Sequence, residues 1–293
     1  AQADHLPVHV GALPWATRVV EDRFKDIAPG DVFLLYTTRA RHTGFLSAVS
    51  GAAFDTIRLE HADRPVARLV LARPPLNILS IRMLEEIAEA IDLLAPRTDL
   101  RALVIAAEGK AFSAGVDVED HVDDRVRPMI AAFHGVFRRL ADFAPPTVAV
   151  VQGPALGGGC ELAAFCDLVL AHESATFGQP EIRLGLFPPL TAAAFPYFTN
   201  GKKTLEMMLT GDTFSAAEAE RMGLVNRVLP AEGFGEAADG FVAGLAEKSA
   251  LALRLAKKAY YAGVDVPVDR ALDRAERIDL EELMESADAR EGL

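Results

Sequence analysis

Cysteine and tryptophan are scarce in this sequence: it has two cysteines, Cys160 and Cys166, and one tryptophan in 293 residues. So few cysteines argue against a disulfide framework of the kind that holds small secreted domains together. Two cysteines without histidine neighbours also make no zinc site, because such a site needs four nitrogen or sulfur ligands. We therefore expect both cysteines to be small buried apolar residues, and we expect no metal.

Positive charge and long apolar runs are also lacking. Lysines and arginines number 30 against 42 aspartates and glutamates, so the net charge is −12. This balance argues against a nucleic-acid partner, because nucleic-acid binding needs clustered basic residues. No apolar run approaches the ~20 residues of a membrane span, and the first residues lack the basic start and apolar stretch of a signal peptide. We expect a cytoplasmic protein without a membrane partner.

The most informative feature present is a pair of carboxylates that follow glycines. Glu161 ends the sequence Gly-Gly-Gly-Cys-Glu, and Glu181 ends Gly-Gln-Pro-Glu twenty residues later. A glycine run that opens a helix leaves backbone N–H groups free, and these can hold a developing negative charge. A dry pocket can push the pKa values of two carboxyls apart, so that one acts as acid and the other as base. The sequence therefore predicts an acid–base enzyme with an oxyanion hole.

The pattern along the chain indicates α/β organisation. Five segments favour strands, at 56–60, 66–71, 102–106, 147–151 and 168–171. Helices are predicted between them at 80–95, with Ser80 as N-cap, at 127–143, and after Gly158. From residue 191 onward the pattern is nearly all helical, apart from a short strand at 225–229. The last predicted helices carry broad apolar faces that suit association into an oligomer, at 237–247, 250–262 and 269–285.

Four motifs resemble those of the crotonase (enoyl-CoA hydratase/isomerase) superfamily, in the order and spacing of that family. They are Arg-Pro-Pro-Leu-Asn at 73–77, Phe-Ser-Ala-Gly-Val-Asp at 112–117, Gly-Gly-Gly-Cys-Glu at 157–161 and Phe-Gly-Gln-Pro-Glu at 177–181. The resemblance implies a ββα spiral core over 54–230 and a C-terminal helical region over 231–293. It further implies that this region builds homotrimers, often paired into homohexamers, and that acyl-CoA thioesters are the substrates.

The resemblance also assigns roles to single residues. The backbone N–H groups of Val116 and Gly158 correspond to the oxyanion hole of the family. Glu161 and Glu181 correspond to the two glutamates of its hydratases, which add water to a conjugated acyl-CoA. One glutamate takes a proton from the water and the other delivers a proton to the alkene, and the sequence leaves open which one is protonated. No cofactor is implied beyond the coenzyme A of the substrate.

Three further residues are candidates for contacts with the substrate or with coenzyme A: Arg73, Ala114 and Phe187. Phe187 opens the sequence Phe-Pro-Pro-Leu-Thr-Ala, where ordinary hydratases have a glycine-rich turn. This departure looks like the cyclohexa-1,5-diene-1-carbonyl-CoA hydratases of anaerobic aromatic degradation. A bulkier and more rigid turn beside the acyl pocket suits a compact ring better than a flexible chain.

Alternatives remain open. An enoyl-CoA isomerase, or another enolate-forming relative, would use one carboxylate in place of two. A protein of another class, a catalytically silent CoA-binding or assembly protein, would keep the fold alone. Of the remaining polar residues, we expect His134 to be a satisfied helix histidine, His121 to lie on the surface and Asp117 to be structural.

The two ends depart from the resemblance. Residues 4–35 resemble a fragment of hydantoinase B/oxoprolinase proteins, and about 30 residues cannot bury a core of their own. We expect residues 1–53 to be a foreign, poorly packed leader without hydantoinase activity. At the other end, relatives continue with a basic tail that contacts coenzyme A. Because this chain stops at Leu293, the helical region is expected to be truncated.

Overall fold

The structure of the protein is a computed structural model, which describes residues 54–292. The expectations for the leader, residues 1–53, and for its hydantoinase-like segment lie outside the described residues. Within 54–292 the chain forms two β-sheets and ten α-helices. The mixed α/β architecture predicted from the sequence is confirmed.

Nine strands form the two sheets of the described chain. They are β1 (Ile57–Glu60), β2 (Val66–Leu71), β3 (Ala102–Ala107), β4 (Thr147–Val151), β5 (Ala155–Leu156), β6 (Leu168–His172), β7 (Thr176–Gly178), β8 (Thr213–Ser215) and β9 (Arg227–Leu229). The larger sheet has the order β1-β2-β3-β4-β6-β9, in which β1 and β2 form an antiparallel hairpin. All its other pairs are parallel and are joined by longer crossover connections, as parallel strands require.

The helices of the described chain follow the predicted pattern closely in the first half. They are α1 (Ile81–Leu94), α2 (Val126–Asp142), α3 (Gly158–Ala164), α4 (Pro189–Ala194), α5 (Gly201–Thr210), α6 (Ala216–Arg221), α7 (Phe234–Ala246), α8 (Ala250–Gly263), α9 (Val268–Ile278) and α10 (Ala287–Gly292). Ser80 is the N-cap of α1, and its hydroxyl accepts from Met83 N–H, as predicted.

The second half of the chain corrects two expectations. The segment after residue 191 is not purely helical before the last strand, because β8 pairs antiparallel with β7. The helix expected over 269–285 is present, but its type changes: α9 ends at Ile278 and continues directly as a π-helical turn, Asp279–Leu283. Such short pieces carry too little periodicity to be predicted from sequence.

The smaller sheet, β5-β7-β8, was not predicted at all, and it places the functional motifs. Strand β5 leads directly into the glycine run at 157–159, and β7 leads into Gln179 and Glu181. Because β5 and β7 are parallel neighbours, with Leu156 paired to Gly178, the two segments that follow them leave the sheet side by side. Two motifs twenty residues apart in sequence are therefore brought to one place.

The core lies between the larger sheet and helices α1 and α2, whose inner faces are buried. Every residue of α3 is buried, and so is every residue of β4. Helix α3, which carries the candidate catalytic residue Glu161, is thus packed on all sides. Cys160 and Cys166 are free, buried cysteines, which confirms the expectation for both.

The C-terminal helices join the core through a partly buried polar contact. Lys257 on α8 donates from Nζ to Asp167 Oδ2 at 2.7 Å and to Phe143 O at 2.9 Å. Tyr261, one turn further on, donates to Asp167 Oδ1 at 2.9 Å. Several large apolar side chains beyond this contact are exposed, namely Tyr260, Val268, Leu272, Leu280 and Met284. None of the helices described here is both long and apolar enough to cross a bilayer.

Candidate active site

The glycine run forms the sharp entry into α3. Gly157 is the N-cap of the helix, with φ 52° and ψ −128°, a backbone conformation that side chains with a Cβ rarely adopt. Its N–H donates to Gly178 O at 2.9 Å, which ties the helix start to the end of β7. The N-terminus of α3 therefore points its free N–H groups at a site bounded by β7 and by the residues that follow it.

The second wall of the site is the turn that carries Val116. Gly115 has a φ of 106°, so the turn requires glycine there. Leu79 N–H donates to Gly115 O at 2.9 Å, and a parallel bridge joins Leu79 to Val116. Within residues 54–292, neither Val116 N–H nor Gly158 N–H has a hydrogen-bond acceptor. Two backbone donors without acceptors among the described residues thus lie close together, and their role as an oxyanion hole stays a prediction.

Close packing of glycines holds these donors together. A Cβ built on Gly115 would lie 3.7 Å from Gly158 N, so the turn and the helix start are in contact. A Cβ on Gly158 would lie 2.6 Å from Val116 Cγ2, and one on Gly159 would lie 2.4 Å from Ser113 O. Real Cβ atoms do not approach so closely, and these positions therefore have no room for a side chain.

Glu161 lies in the first turn of α3 and is 3% exposed. Its Oε1 accepts two hydrogen bonds from Thr191, one from the backbone N–H at 2.7 Å and one from the hydroxyl at 2.9 Å. Thr191 in turn accepts from Gln179 Nε2 at 2.7 Å, and both residues are fully buried. A chain of three polar side chains thus fixes the orientation of the Glu161 carboxyl.

Glu181 approaches the same site from the 3-10 helix after β7, Pro180–Leu184. Its Oε1 would lie 2.5 Å from a Cβ on Gly157, so this carboxyl sits directly over the entry to α3. Its Oε2 is shielded from solvent and has no hydrogen-bond partner among the described residues. A buried carboxylate oxygen without a partner is costly, and such groups concentrate at functional sites.

The environment raises the pKa of both carboxyls. Burial is the largest cause for Glu161 and, with the nearby charge of Glu181, raises its pKa to about 8 against the opposing hydrogen bonds from Thr191. Burial also raises the pKa of Glu181, opposed by its own backbone N–H and by His121. Because two neighbouring buried carboxyls do not both ionise readily, the pair holds a proton at neutral pH.

The other predicted residues have mixed outcomes. Arg73 is exposed and its guanidinium donates to Ile78 O at 3.2 Å. Ala114 is half-buried beside Gly115, and its N–H donates to Leu76 O. Phe187 is 64% exposed on the turn before α4. None of the three contacts Glu161 or Glu181 through a hydrogen bond, and their roles stay predictions.

Histidines and an aspartate near the site complete the comparison with the sequence. His134 is buried on α2, and burial lowers its pKa to about 4, consistent with an uncharged helix histidine. Asp117 caps the 3-10 turn Val118–His121 by accepting from Glu119 N–H, which fits a structural role. The surface position expected for His121 is wrong: the residue is half-buried, and its Nδ1 lies 2.9 Å from Asp117 O.

Sequence reasoning missed three residues that shape the site: Thr191, Gln179 and His121. Gln179 is part of the motif that contains Glu181, but nothing in the sequence shows which atoms its amide contacts. Thr191 follows Glu161 by 30 residues, and His121 precedes Glu181 by 60. Only the folded chain brings them together. No group of histidine, cysteine and carboxylate side chains suited to a metal ion occurs in the part of the chain that the structure describes.

This fold is that of the crotonase-fold proteins. Comparison with known proteins shows which family of that fold the chain belongs to. The profile of the enoyl-CoA hydratase/isomerase family matches residues 61–293. The chain therefore belongs to this family. A crystal structure of an enoyl-CoA hydratase subunit from Geobacillus kaustophilus superposes with a TM-score of 0.76 at 36% identity, covering 82% of this chain and 94% of that one.

Curated relatives agree with the structural match. A probable enoyl-CoA hydratase of Mycobacterium bovis is 40% identical over 209 residues, which cover 70% of this chain and 81% of the relative. The cyclohexa-1,5-dienecarbonyl-CoA hydratase of Thauera aromatica is 36% identical over 231 residues, covering 79% and 89% of the two chains. The resemblance read from four motifs is thus confirmed.

Proposed function

We propose that this protein is an enoyl-CoA hydratase, a carbon–oxygen lyase that adds water to a conjugated acyl-CoA. The observation that carries the proposal is that two kinds of group lie at one site: two buried carboxyls with raised pKa values, and two backbone N–H groups without acceptors. If the carbonyl oxygen of a thioester accepts from both N–H groups, these groups stabilise the negative charge that develops on that oxygen during the reaction. Family membership and the names of the relatives support the same activity.

The proposed reaction uses the pair of glutamates as one acid–base unit. The ionised member takes a proton from a water molecule as the water oxygen bonds to the β-carbon of the substrate. The electrons of the double bond move onto the thioester oxygen, where Val116 and Gly158 donate to the resulting enolate. The protonated member then transfers its proton to the α-carbon, and the carbonyl re-forms. One water has been added, and the pair again holds one proton.

This scheme predicts a bell-shaped pH dependence of kcat/KM. Activity should rise as the first carboxyl of the pair ionises, and it should fall when Glu161 loses its proton, around its pKa of about 8. The measurement is kcat/KM for crotonyl-CoA hydration in buffers of constant ionic strength from about pH 5 to about pH 10. A rate that stays level through about pH 10 would contradict the shared proton.

For the substrate, we propose a cyclic dienoyl-CoA and a role in anaerobic degradation of aromatic compounds. The similarity to the Thauera hydratase supports this choice. So does the turn that begins at Phe187, where Pro188 and Pro189 stiffen the start of α4. The test is to compare turnover of cyclohexa-1,5-diene-1-carbonyl-CoA with that of crotonyl-CoA by loss of the absorbance of the conjugated thioester. A clear preference for crotonyl-CoA would contradict the ring substrate and leave the hydratase standing.

The same assay, extended to a 3-enoyl-CoA as a third substrate, separates the alternatives. An enoyl-CoA isomerase would move the double bond of a 3-enoyl-CoA without adding water and would need one of the two carboxyls. A silent CoA-binding protein would turn over neither substrate while still binding coenzyme A. The placement of both carboxyls around the start of α3, beside the two bare N–H groups, favours the two-glutamate hydratase, since a one-carboxyl isomerase does not need the second.

We further propose that the chain acts in the cytoplasm as a homotrimer or homohexamer, with no cofactor beyond the coenzyme A of the substrate. The exposed apolar side chains of the last helices, Val268 and Leu272 among them, support assembly. Light scattering of the purified protein measures it, and a stable monomer near 31.5 kDa with full activity would contradict it.

A further inference from the structure

The carboxyl of Glu161 is held by a buried polar chain that the proposed reaction does not itself require. Thr191 and Gln179 have no exposed surface, and both lie outside hydrogen-bond reach of the bare N–H groups. The chain runs from Gln179 Nε2 to Thr191 Oγ1 at 2.7 Å, and from Thr191 Oγ1 to Glu161 Oε1 at 2.9 Å. Buried polar residues of this kind need a reason, because their burial costs free energy.

The direction of these hydrogen bonds follows from the donors available. The amide nitrogen of Gln179 can only donate, so Thr191 Oγ1 accepts from it. A hydroxyl has one proton, and with the oxygen occupied by Gln179 that proton is directed to Glu161 Oε1. The opposite orientation of the amide would make Glu161 donate from Oε1, although this oxygen already accepts from Thr191 N–H at 2.7 Å.

One cost of this arrangement is visible in the structure. Gln179 Oε1 is buried and has no hydrogen-bond partner among the described residues. A side-chain amide would normally satisfy both of its ends, so the orientation of Gln179 serves the end that meets Thr191. The amide thus acts as a fixed donor behind Thr191.

We propose that Thr191, oriented by Gln179, is a positioning residue that makes Oε1 of Glu161 a permanent acceptor, so that Glu161 gains and loses its proton through Oε2 alone. This inference rests on the proposed function and deepens it. Oε1 accepts two hydrogen bonds from one residue, and Oε2 has none from any residue in 54–292. Whether Glu161 acts as acid or as base, the proton that it donates or accepts is then carried by Oε2.

The hydroxyl of Thr191 has a second effect, which gives a readout. Hydrogen bonds to the ionised form of a carboxyl favour that form, and the Thr191 hydroxyl opposes the rise that burial causes in the pKa of Glu161. Removing the hydroxyl alone should therefore raise this pKa further. The backbone N–H of Thr191 would remain in place as the second donor.

The test compares Thr191→Val, which removes the hydroxyl at nearly constant shape, with Thr191→Ser, which keeps it. In Thr191→Val we expect kcat to fall about 10-fold with little change in KM, because the substrate still binds while the Glu161 carboxyl is misoriented. The alkaline limb of the pH profile should move up by about half a unit to one unit. Thr191→Ser should restore both. Thr210→Val is the matched control, since the exposed Thr210 hydroxyl contacts only two backbone groups, Glu206 O and Asp212 N–H.

A measurement without turnover keeps this inference separate from the proposed function. Infrared spectroscopy detects the carbonyl stretch of a protonated carboxyl, and the band lost in Glu161→Gln assigns it. The pH at which this band disappears should be higher in Thr191→Val than in the wild type. An unchanged titration in Thr191→Val would overturn the inference even if the wild type is an active hydratase. Absence of all hydration with a shifted titration would overturn the proposed function alone.

Gln179→Leu gives an independent test, because Gln179 is proposed to act only through Thr191. Alone, this change should shift the titration of Glu161 in the same direction as Thr191→Val. In the Thr191→Val background it should add nothing, since the hydroxyl that it orients is gone. Additive effects of the two changes would overturn the chain from Gln179 through Thr191 to Glu161.

Discussion

Replacing either Glu161 or Glu181 by glutamine is expected to lower kcat/KM for hydration by about 10²–10⁴-fold, the usual contribution of general acid–base catalysis. Glutamine keeps the size of the side chain, and at position 161 its oxygen can still accept from Thr191 N–H and hydroxyl. It cannot take or deliver a proton. The expectation for both variants follows because the proposed reaction needs one proton donor and one proton acceptor.

The control for these variants is Glu206→Gln, an exposed glutamate on α5 paired with Lys203, which should retain wild-type rates. If only one of the two site variants loses hydration while the other stays near wild type, the two-glutamate scheme is wrong. The isomerase-like alternative with a single carboxylate would then be favoured.

The substitution Glu161→Gln should also make the folded protein more stable at neutral and alkaline pH. The pKa of Glu161 is raised in the folded state from its usual 4.5 to about 8, mainly by burial. Its contribution to stability is therefore fully present below about pH 4.5 and is lost as the pH rises through about 8. Glutamine does not ionise, so Glu161→Gln should raise Tm relative to the wild type at pH 8 more than at pH 5. Loss of activity with gain of stability would separate a catalytic role from a structural one.

Substituting alanine for Gly158 is expected to lower kcat/KM by about 10²–10³-fold, comparable to the loss of one oxyanion-hole donor. The added Cβ would lie 2.6 Å from Val116 Cγ2 and 2.9 Å from Phe133 Cε2. Either the turn of Val116 or the start of α3 must then move. Each movement displaces one of the two N–H groups from the position where a thioester oxygen would accept from both.

Gly240→Ala is the matched control for this change. Gly240 lies on α7, and a Cβ there would meet no atom within 4 Å. The control should keep full activity and gain about 0.5–1 kcal/mol from better helix propensity. Gly158→Ala enzyme with wild-type kcat/KM would contradict the assignment of the oxyanion hole to these two N–H groups.

The sequence by itself determined the parts of this protein that depend on neighbours along the chain. The apolar periodicity of α1 and its Ser80 cap, the buried strand β4, and the glycines before Glu161 all act within one turn or one strand. Local structure of this kind follows from side-chain spacing and backbone freedom, which a single sequence displays. Four motifs in register were enough to identify the family as well.

Only the tertiary structure decided how these parts meet. The parallel pairing of β5 with β7 sets the two glutamates at one site, although each strand is too short to be seen in the sequence. The hydrogen bonds from Thr191 to Glu161 and the influence of His121 on Glu181 join residues 30 and 60 positions apart. Burial raises the pKa values of both carboxyls, and burial is a property of the packed chain. The sequence shows the two carboxyls, but their proton affinities depend on what the fold places around them.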